Sequence, residues 1–220
     1  LDNLTRKGAR FNLTKLRKNK IINYKFNIQN FKSLEKLPKF DFIIDCCAEV
    51  AVEASKKNLD KVFYTNLVGT YNILKKTIKD KSNLIFLSTS RVYSIKNLIK
   101  AAKNKSDFMV NENFSVISPN SVYGYTKLSS EKLIEEISFS NKIKYIINRF
   151  GVIAGPWQFG KVEQGFFSYW IWRHLRKRKL VYKGFGGLGY QVLWEGQLIE
   201  NSSIPYSNEV LAVRLYSGPM

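Results

Sequence analysis

The sequence predicts an α/β fold built on a parallel sheet with helices packed on its faces. Three observations point there. Strand and helix signals alternate along the chain. The strand candidates are short apolar runs of the kind that sheets bury. The residues with chemical potential cluster just after those runs, where ligands gather in parallel sheets.

Residues 12–18 read as a short helix, followed by a β-leaning run, Ile21-Ile22-Asn23-Tyr24-Lys25-Phe26. Residues 31–37 form a second short helix, stopped by Pro38, which has no N–H to continue the ladder. Phe40-Asp41-Phe42-Ile43-Ile44-Asp45 is a buried strand. Residues 59–79 are an amphipathic helix with Val62, Leu67, Thr70 and Leu74 among its inward positions. Asn83-Leu84-Ile85-Phe86-Leu87-Ser88 is the next strand and ends in a Ser/Thr cluster. The polar, Lys/Asn-rich stretch 95–120 reads as a surface insertion. Residues 121–138 are helical, Lys144 to Phe150 is a strand, and residues 165–177 are a helix carrying several aromatics. Internal repeats and low-complexity tracts are absent from the sequence.

Composition narrows the function classes. A hydrophobic content of 45% with 14% aromatics is that of a globular chain able to bury a core. No apolar run approaches the roughly 18 residues of a membrane span, because residues 40–54 are interrupted by Asp41, Asp45, Glu49 and Glu53. The chain opens without Met and without an apolar leader-like segment, so the expectation is an upstream start and a cytoplasmic protein. Cys46 and Cys47 are adjacent, and a disulfide between neighbours is strained. They read as small apolar residues in a reducing compartment rather than a redox pair. His174 is the only histidine, which argues against a histidine-based zinc site, and no metal is expected.

The net charge of +19 has two readings. One is a surface for nucleic acid or another polyanion. The other, preferred here, is background composition, since the lysines are scattered and accompany abundant Asn and Ile. The densest cluster, Arg173 with Arg176-Lys177-Arg178-Lys179, offers charge to an anionic ligand. Neither a nucleic-acid nor a membrane partner is expected, and polyanion binding stands as the alternative function.

The chemistry-bearing motif is Tyr123-Gly124-Tyr125-Thr126-Lys127 at the start of a helix. Residues four apart share a helical face, so a phenol and an ammonium become neighbours. A nearby positive charge favours the phenolate, and such a Tyr can accept a proton from a hydroxyl. The run Leu87-Ser88-Thr89-Ser90-Arg91-Val92-Tyr93 places hydroxyls at a strand end, where one can hold a reacting oxygen. Asn66-Leu67-Val68-Gly69-Thr70 puts a tethering amide and a small residue on the long helix. In Leu1-Asp2-Asn3-Leu4, the Asp2 carboxylate is suited to accept from two ribose hydroxyls. Each piece alone is explicable as ordinary structure; their order and spacing together are not.

These four motifs, in this order, resemble the NAD-dependent epimerase/dehydratase family of extended short-chain dehydrogenases. Within it the resemblance is nearest to the CDP-paratose 2-epimerase group. That rests on Ser90-Arg91-Val92-Tyr93-Ser94-Ile95, on the stretch Asn148 to Lys161 with its Ala154-Gly155-Pro156-Trp157-Gln158, and on Gln164-Gly165-Phe166-Phe167. The resemblance implies a Rossmann-like doubly wound parallel sheet with the beginning of a smaller substrate domain. Residues 1–160 would be the NAD-binding part, 161–192 the start of the nucleotide-sugar region, and 193–220 a tail whose structure the sequence leaves open.

It further implies a nucleotide-sugar epimerase that oxidises a sugar carbon transiently with tightly held NAD. Thr89, Tyr123 and Lys127 would be catalytic. Asp2, Asn3, Asn27, Ile28, Cys47, Ala48, Asn66, Ser88 and Phe150 would contact the cofactor beside Tyr123 and Lys127. Thr89, Arg91, Gln164, Gly165 and Phe166 would meet the nucleotide-sugar, a CDP-linked deoxyhexose, although Arg91 fits a structural ion pair equally well. Dehydratase members place Asp-Glu directly after the Thr, where this chain has Ser90-Arg91. Asn27 stands where the family usually has Asp. A homodimer or higher homo-oligomer is the family's habit.

Two departures set further expectations. The family's glycine-rich phosphate loop belongs about 20 residues before the Asp2 position, and neither that loop nor the first strand is in the sequence. After Gly189-Tyr190-Gln191-Val192 the resemblance stops. The expectation is therefore a chain incomplete at both ends that by itself binds NAD poorly, with an inactive fragment standing as an alternative to the epimerase.

Overall fold

The computed structural model describes residues 1–6, 8–50, 58–102, 110–111, 113–117, 119, 121–151, 153, 155, 157–160, 165–178 and 212–216. Three strands, β1 (Phe42–Asp45), β2 (Asn83–Thr89) and β3 (Tyr145–Phe150), lie side by side in parallel. The parallel α/β fold is thus as the sequence predicts. A fourth strand, β4 (Ala212–Tyr216), pairs antiparallel with β3, so the tail contributes an edge strand to the sheet.

Register explains the core. Ile43, Leu84 and Tyr145 form one row across the three strands, and Asp45, Phe86 and Ile147 form the next. Their side chains share one face because strand residues alternate with period two. The helices are α1 (Ala9–Lys18), α2 (Phe31–Leu34), α3 (Leu59–Phe63), α4 (Gly69–Asp80), α5 (Ile95–Ala102), α6 (Val122–Asn141) and α7 (Phe166–Leu175), of which α4 and α6 pack on that face. Leu74 of α4 and Ile134 of α6 are fully buried against Leu84, Phe86 and Ile147, with Ile28 and Leu34 closing the cluster. Burying such side chains stabilises by roughly 1.5–3 kcal/mol each. On the opposite face Phe42 and Ile44 are exposed.

Four expectations are corrected. The run Ile21 to Phe26 forms no strand; among the described residues its one ladder-like bond is Asp2 N–H to the Tyr24 carbonyl at 3.2 Å, and β propensity needs a paired neighbour to be realised. The helix over 59–79 is broken by a π turn, Tyr64–Val68, between α3 and α4. Of its inward positions, Val62, Thr70 and Leu74 are buried and Leu67 is half-buried. The stretch 95–120 begins with a helix, α5, whose Ile95, Leu98, Ile99 and Ala102 fall at helical spacing. Helix α6 runs on to Asn141, where Lys142 takes the left-handed C-cap conformation that ends it.

Candidate functional site

The site lies at the carboxyl ends of β1, β2 and β3, and the local sequence dictates how it is assembled. Thr89 is the last residue of β2 and the register partner of Phe150 in β3. Its hydroxyl accepts from the Arg91 N–H at 3.2 Å, capping the short 3-10 turn Ser90–Val92. Ser121 caps α6 by accepting from the Gly124 N–H at 3.0 Å, which fixes the first turn that carries Tyr123. Tyr123 and Thr89 are both buried, and the Thr89 side chain lies close enough to the Tyr123 phenol to favour its charged form.

Burial raises the Tyr123 phenol above its ordinary range, and the Thr89 side chain and the Arg91 charge oppose that. Lys127 is not among the groups that lower it, contrary to the sequence reading. The reason is positional: the Lys127 ammonium sits 3.7 Å from the centre of the Phe86 ring, facing the sheet. There its pKa falls to about 8 through burial, which the Asp45 and Glu131 carboxylates only partly offset. Among the described residues its ammonium makes no hydrogen bond, although Lys127 is only 1% exposed.

Asp45 ends β1 beneath this lysine. It accepts from the Thr70 hydroxyl at 3.2 Å and from the Cys47 N–H at 3.0 Å, and burial raises its carboxyl despite the facing Lys127 charge. Burial, then the neighbouring Asp45, pushes the Cys47 thiol up to about 12. Cys47 is therefore a neutral, half-buried lining residue, with Ala48 beside it. Asp2 is near enough to act on Cys47 electrostatically, and its own carboxylate accepts from the Leu4 N–H at 2.6 Å. The Asn3 side chain accepts from the Thr5 N–H at 3.1 Å, and that of Asn27 from the Gln29 N–H at 3.0 Å. Ile28 points its side chain into the core, so only its backbone is available to a ligand.

Asn66 occupies the π turn and is fully buried. Its amide gives hydrogen bonds to the Glu49 carbonyl and the Thr126 hydroxyl, both at 3.1 Å, and accepts from the Glu49 N–H at 2.7 Å. Its backbone carbonyl accepts from the Ser130 hydroxyl at 2.9 Å. Asn66 thus ties the segment after β1 to α6. The Ser88 hydroxyl is likewise engaged, by Glu131.

The remaining substrate candidates are divided. Gln164 lies outside the described residues, and Phe166 opens α7. Gly165 caps α7 with φ 69°, a conformation suited to glycine, and Gly160 packs against the Tyr169 backbone 2.8 Å from where a Cβ would stand. Gln158 braces this loop through the Ile153 carbonyl at 3.0 Å and Ser168 at 3.2 Å.

Asp45, Glu131, Arg149 and Tyr93 belong to this neighbourhood although sequence reasoning assigned none of them a role in the site. Glu131 continues the four-residue spacing from Tyr123 through Lys127. Arg149 alternates with Tyr145 and Ile147 on the inward face of β3.

The chain is similar to known proteins. The model of the NAD dependent epimerase/dehydratase family matches residues 1–191. A dTDP-D-glucose 4,6-dehydratase of Dictyostelium discoideum is 30% identical over 142 residues, which are 62% of this chain and 32% of that protein. The UDP-Glc/GlcNAc 4-epimerase of Campylobacter jejuni is similar in structure with TM-score 0.57 and 26% identity, covering 66% of this chain and 43% of that one. A Thermus thermophilus UDP-glucose 4-epimerase, solved in complex with NAD, shares the fold with TM-score 0.67 at 21% identity, covering 81% and 55% of the two chains. The chain spans 32% to 56% of the length of five curated relatives.

Proposed function

Because the chain belongs to the NAD dependent epimerase/dehydratase family, we propose that it works as a nucleotide-sugar epimerase, with Tyr123 as acid/base, Thr89 as the partner of the reacting sugar oxygen and Lys127 at the nicotinamide ribose. The observation that carries this reading is the buried meeting of Thr89 and Tyr123 at the sheet's carboxyl edge, with Lys127 one helical turn below.

The residues present fit the cofactor's riboses and nicotinamide, while the glycine-rich loop for its phosphates is not among them. A nearly buried ammonium without a hydrogen-bond acceptor, on Lys127, suits a ribose hydroxyl. Asp2 and Asn3 would take the adenosine ribose, Asn27 and the Ile28 backbone the adenine, and Cys47, Ala48 and Phe150 would line the space between. The Asp2 carboxylate favours NAD over a 2′-phosphorylated dinucleotide by charge repulsion. Asn66 and Ser88, engaged within the protein, would shape the site rather than grip the ligand. Bound NAD supplies a reversible acceptor for one carbon-bound hydrogen and its electron pair.

This chain's own residues handle the proton. The Tyr123 oxygen, whose burial-raised pKa Thr89 and Arg91 bring partly back down, takes the proton of the sugar hydroxyl as that carbon is oxidised. Thr89 holds the same oxygen, so the carbonyl stays in place while the sugar presents its other face. Tyr123 then returns the proton. Ser90 and Arg91 supply no carboxyl pair for water elimination, which favours epimerisation over the activity named for the Dictyostelium relative. The CDP-paratose 2-epimerase resemblance makes C2 of a CDP-linked deoxyhexose the first substrate to try, and Gly165 and Phe166, with Gln164, would meet it.

The test is to incubate the protein with NAD and CDP-paratose in D2O. The expected product has unchanged mass and no deuterium at the inverted carbon, because the hydrogen that leaves returns. Loss of water from dTDP-D-glucose in a parallel incubation would assign a dehydratase instead.

A further inference from the structure

One buried cluster is unused by that chemistry. Glu131, fully buried on α6, accepts from the Arg149 guanidinium at 2.6 Å and at 3.1 Å twice. The Ser88 hydroxyl also donates to Glu131, and Arg149 gives a further hydrogen bond to the Tyr93 hydroxyl at 3.2 Å. Ser88 and Arg149 are register partners on the helix-covered face of β2 and β3. Arg149 is 3% exposed, and Tyr93 also 3%.

Stability alone is a weak reason for such a cluster. Desolvating two charges costs several kcal/mol per ion, and replacing a buried pair with apolar residues of similar volume is often neutral or stabilising. Its placement is more informative. Ser88 precedes Thr89, Arg149 precedes Phe150, Tyr93 closes the turn that carries Arg91, and Glu131 lies one helical turn beyond Lys127. Every arm ends beside a residue of the candidate site.

We propose that Glu131 and Arg149 are a positioning pair, which locks the ends of β2 and β3 and the face of α6 that bears Tyr123 and Lys127 into one reactive geometry. This rests on the epimerase reading for its catalytic consequence, though not for its structural one. A bidentate guanidinium–carboxylate contact fixes both distance and orientation, which a hydrophobic contact does not. Misplacing reacting groups by about 1 Å costs on the order of a hundredfold in rate. The pair also acts on Lys127 directly. Asp45 at the end of β1 and Glu131 on the same helix are the carboxylates facing its ammonium, with Cys46 and Cys47 after β1 acting more weakly.

Two variants test this. Glu131→Gln keeps the shape and removes the charge; the Lys127 ammonium, followed by NMR, should then titrate below the wild-type midpoint. The double change Glu131→Leu with Arg149→Met should keep a cooperative thermal transition within a few degrees of wild type. Its kcat should fall by about tenfold or more with KM altered far less, and Arg149→Lys should fall between the two. An unmoved Lys127 midpoint together with wild-type kcat in the double variant would overturn the pair's role. If the wild-type protein turns over no nucleotide-sugar, the epimerase reading fails. The Lys127 titration then decides the proposal by itself, standing if the midpoint falls and failing if it does not.

Discussion

The backbone carbonyl of Arg91 lies directly against Gly124, so a Cβ at position 124 would overlap it and stand 3.1 Å from the Pro119 Cβ. Glycine at this one position lets the first turn of α6 settle on the turn after β2. That contact sets the approach of Tyr123 to Thr89.

Gly124→Ala should therefore push the helix start outward, because the obstacle is backbone and cannot rotate away. The expected result is a loss of turnover of about tenfold to a hundredfold. Stability should fall by about 1–3 kcal/mol, the usual cost of overpacking. Steady-state kinetics with urea unfolding of the same variant reads both, and unchanged kinetics would show that the contact is incidental.

Lys127 offers a pH signature. Its pKa in the folded protein is about 8 against 10.5 for the free side chain. The unfolded chain holds this proton more tightly, so charged Lys127 costs stability in full below about pH 8. That cost, on the order of 3 kcal/mol at most, disappears as pH rises from about 8 to about 10.5. Urea midpoints of wild type should gain on those of Lys127→Met across this window. A constant difference would contradict the buried, partly compensated ammonium.

Cys47 should be chemically quiet. With a thiol near 12, only about one molecule in ten thousand is thiolate at pH 8. Alkylation by iodoacetamide, mapped by mass spectrometry, should be at least about a hundredfold slower than for a free thiol of ordinary pKa. Cys46, which is exposed, should react before it. Rapid labelling of Cys47 would restore the redox-pair reading that the sequence disfavoured.

Much of this was legible in the sequence because the signals were local. Apolar runs placed the three parallel strands, and the four-residue spacing put Tyr123 and Lys127 on one face of α6. Ile21 to Phe26 misled, since a β-rich run forms a strand only when a partner pairs with it. The π turn was invisible because Leu59 to Asp80 keeps helical spacing; only the buried Asn66, whose carbonyl is left for Ser130, shows where the ladder changes. The Glu131–Arg149 pairing escaped notice because it joins residues 18 apart in sequence through the sheet register, and the stretch that contains Arg149 does not point to Glu131. The direction of the Lys127 charge also depended on packing: Phe86 and Asp45 draw it toward the sheet.

The most direct measurement is the turnover of Tyr123→Phe on the nucleotide-sugar that wild type converts. Phenylalanine keeps the ring and its burial and removes only the phenolic oxygen. The account predicts a fall in kcat of about a hundredfold to ten-thousandfold, the usual weight of a positioned acid/base, with NAD affinity nearly unchanged. Turnover close to wild type would contradict it, because the proton of the sugar hydroxyl would then leave by another route.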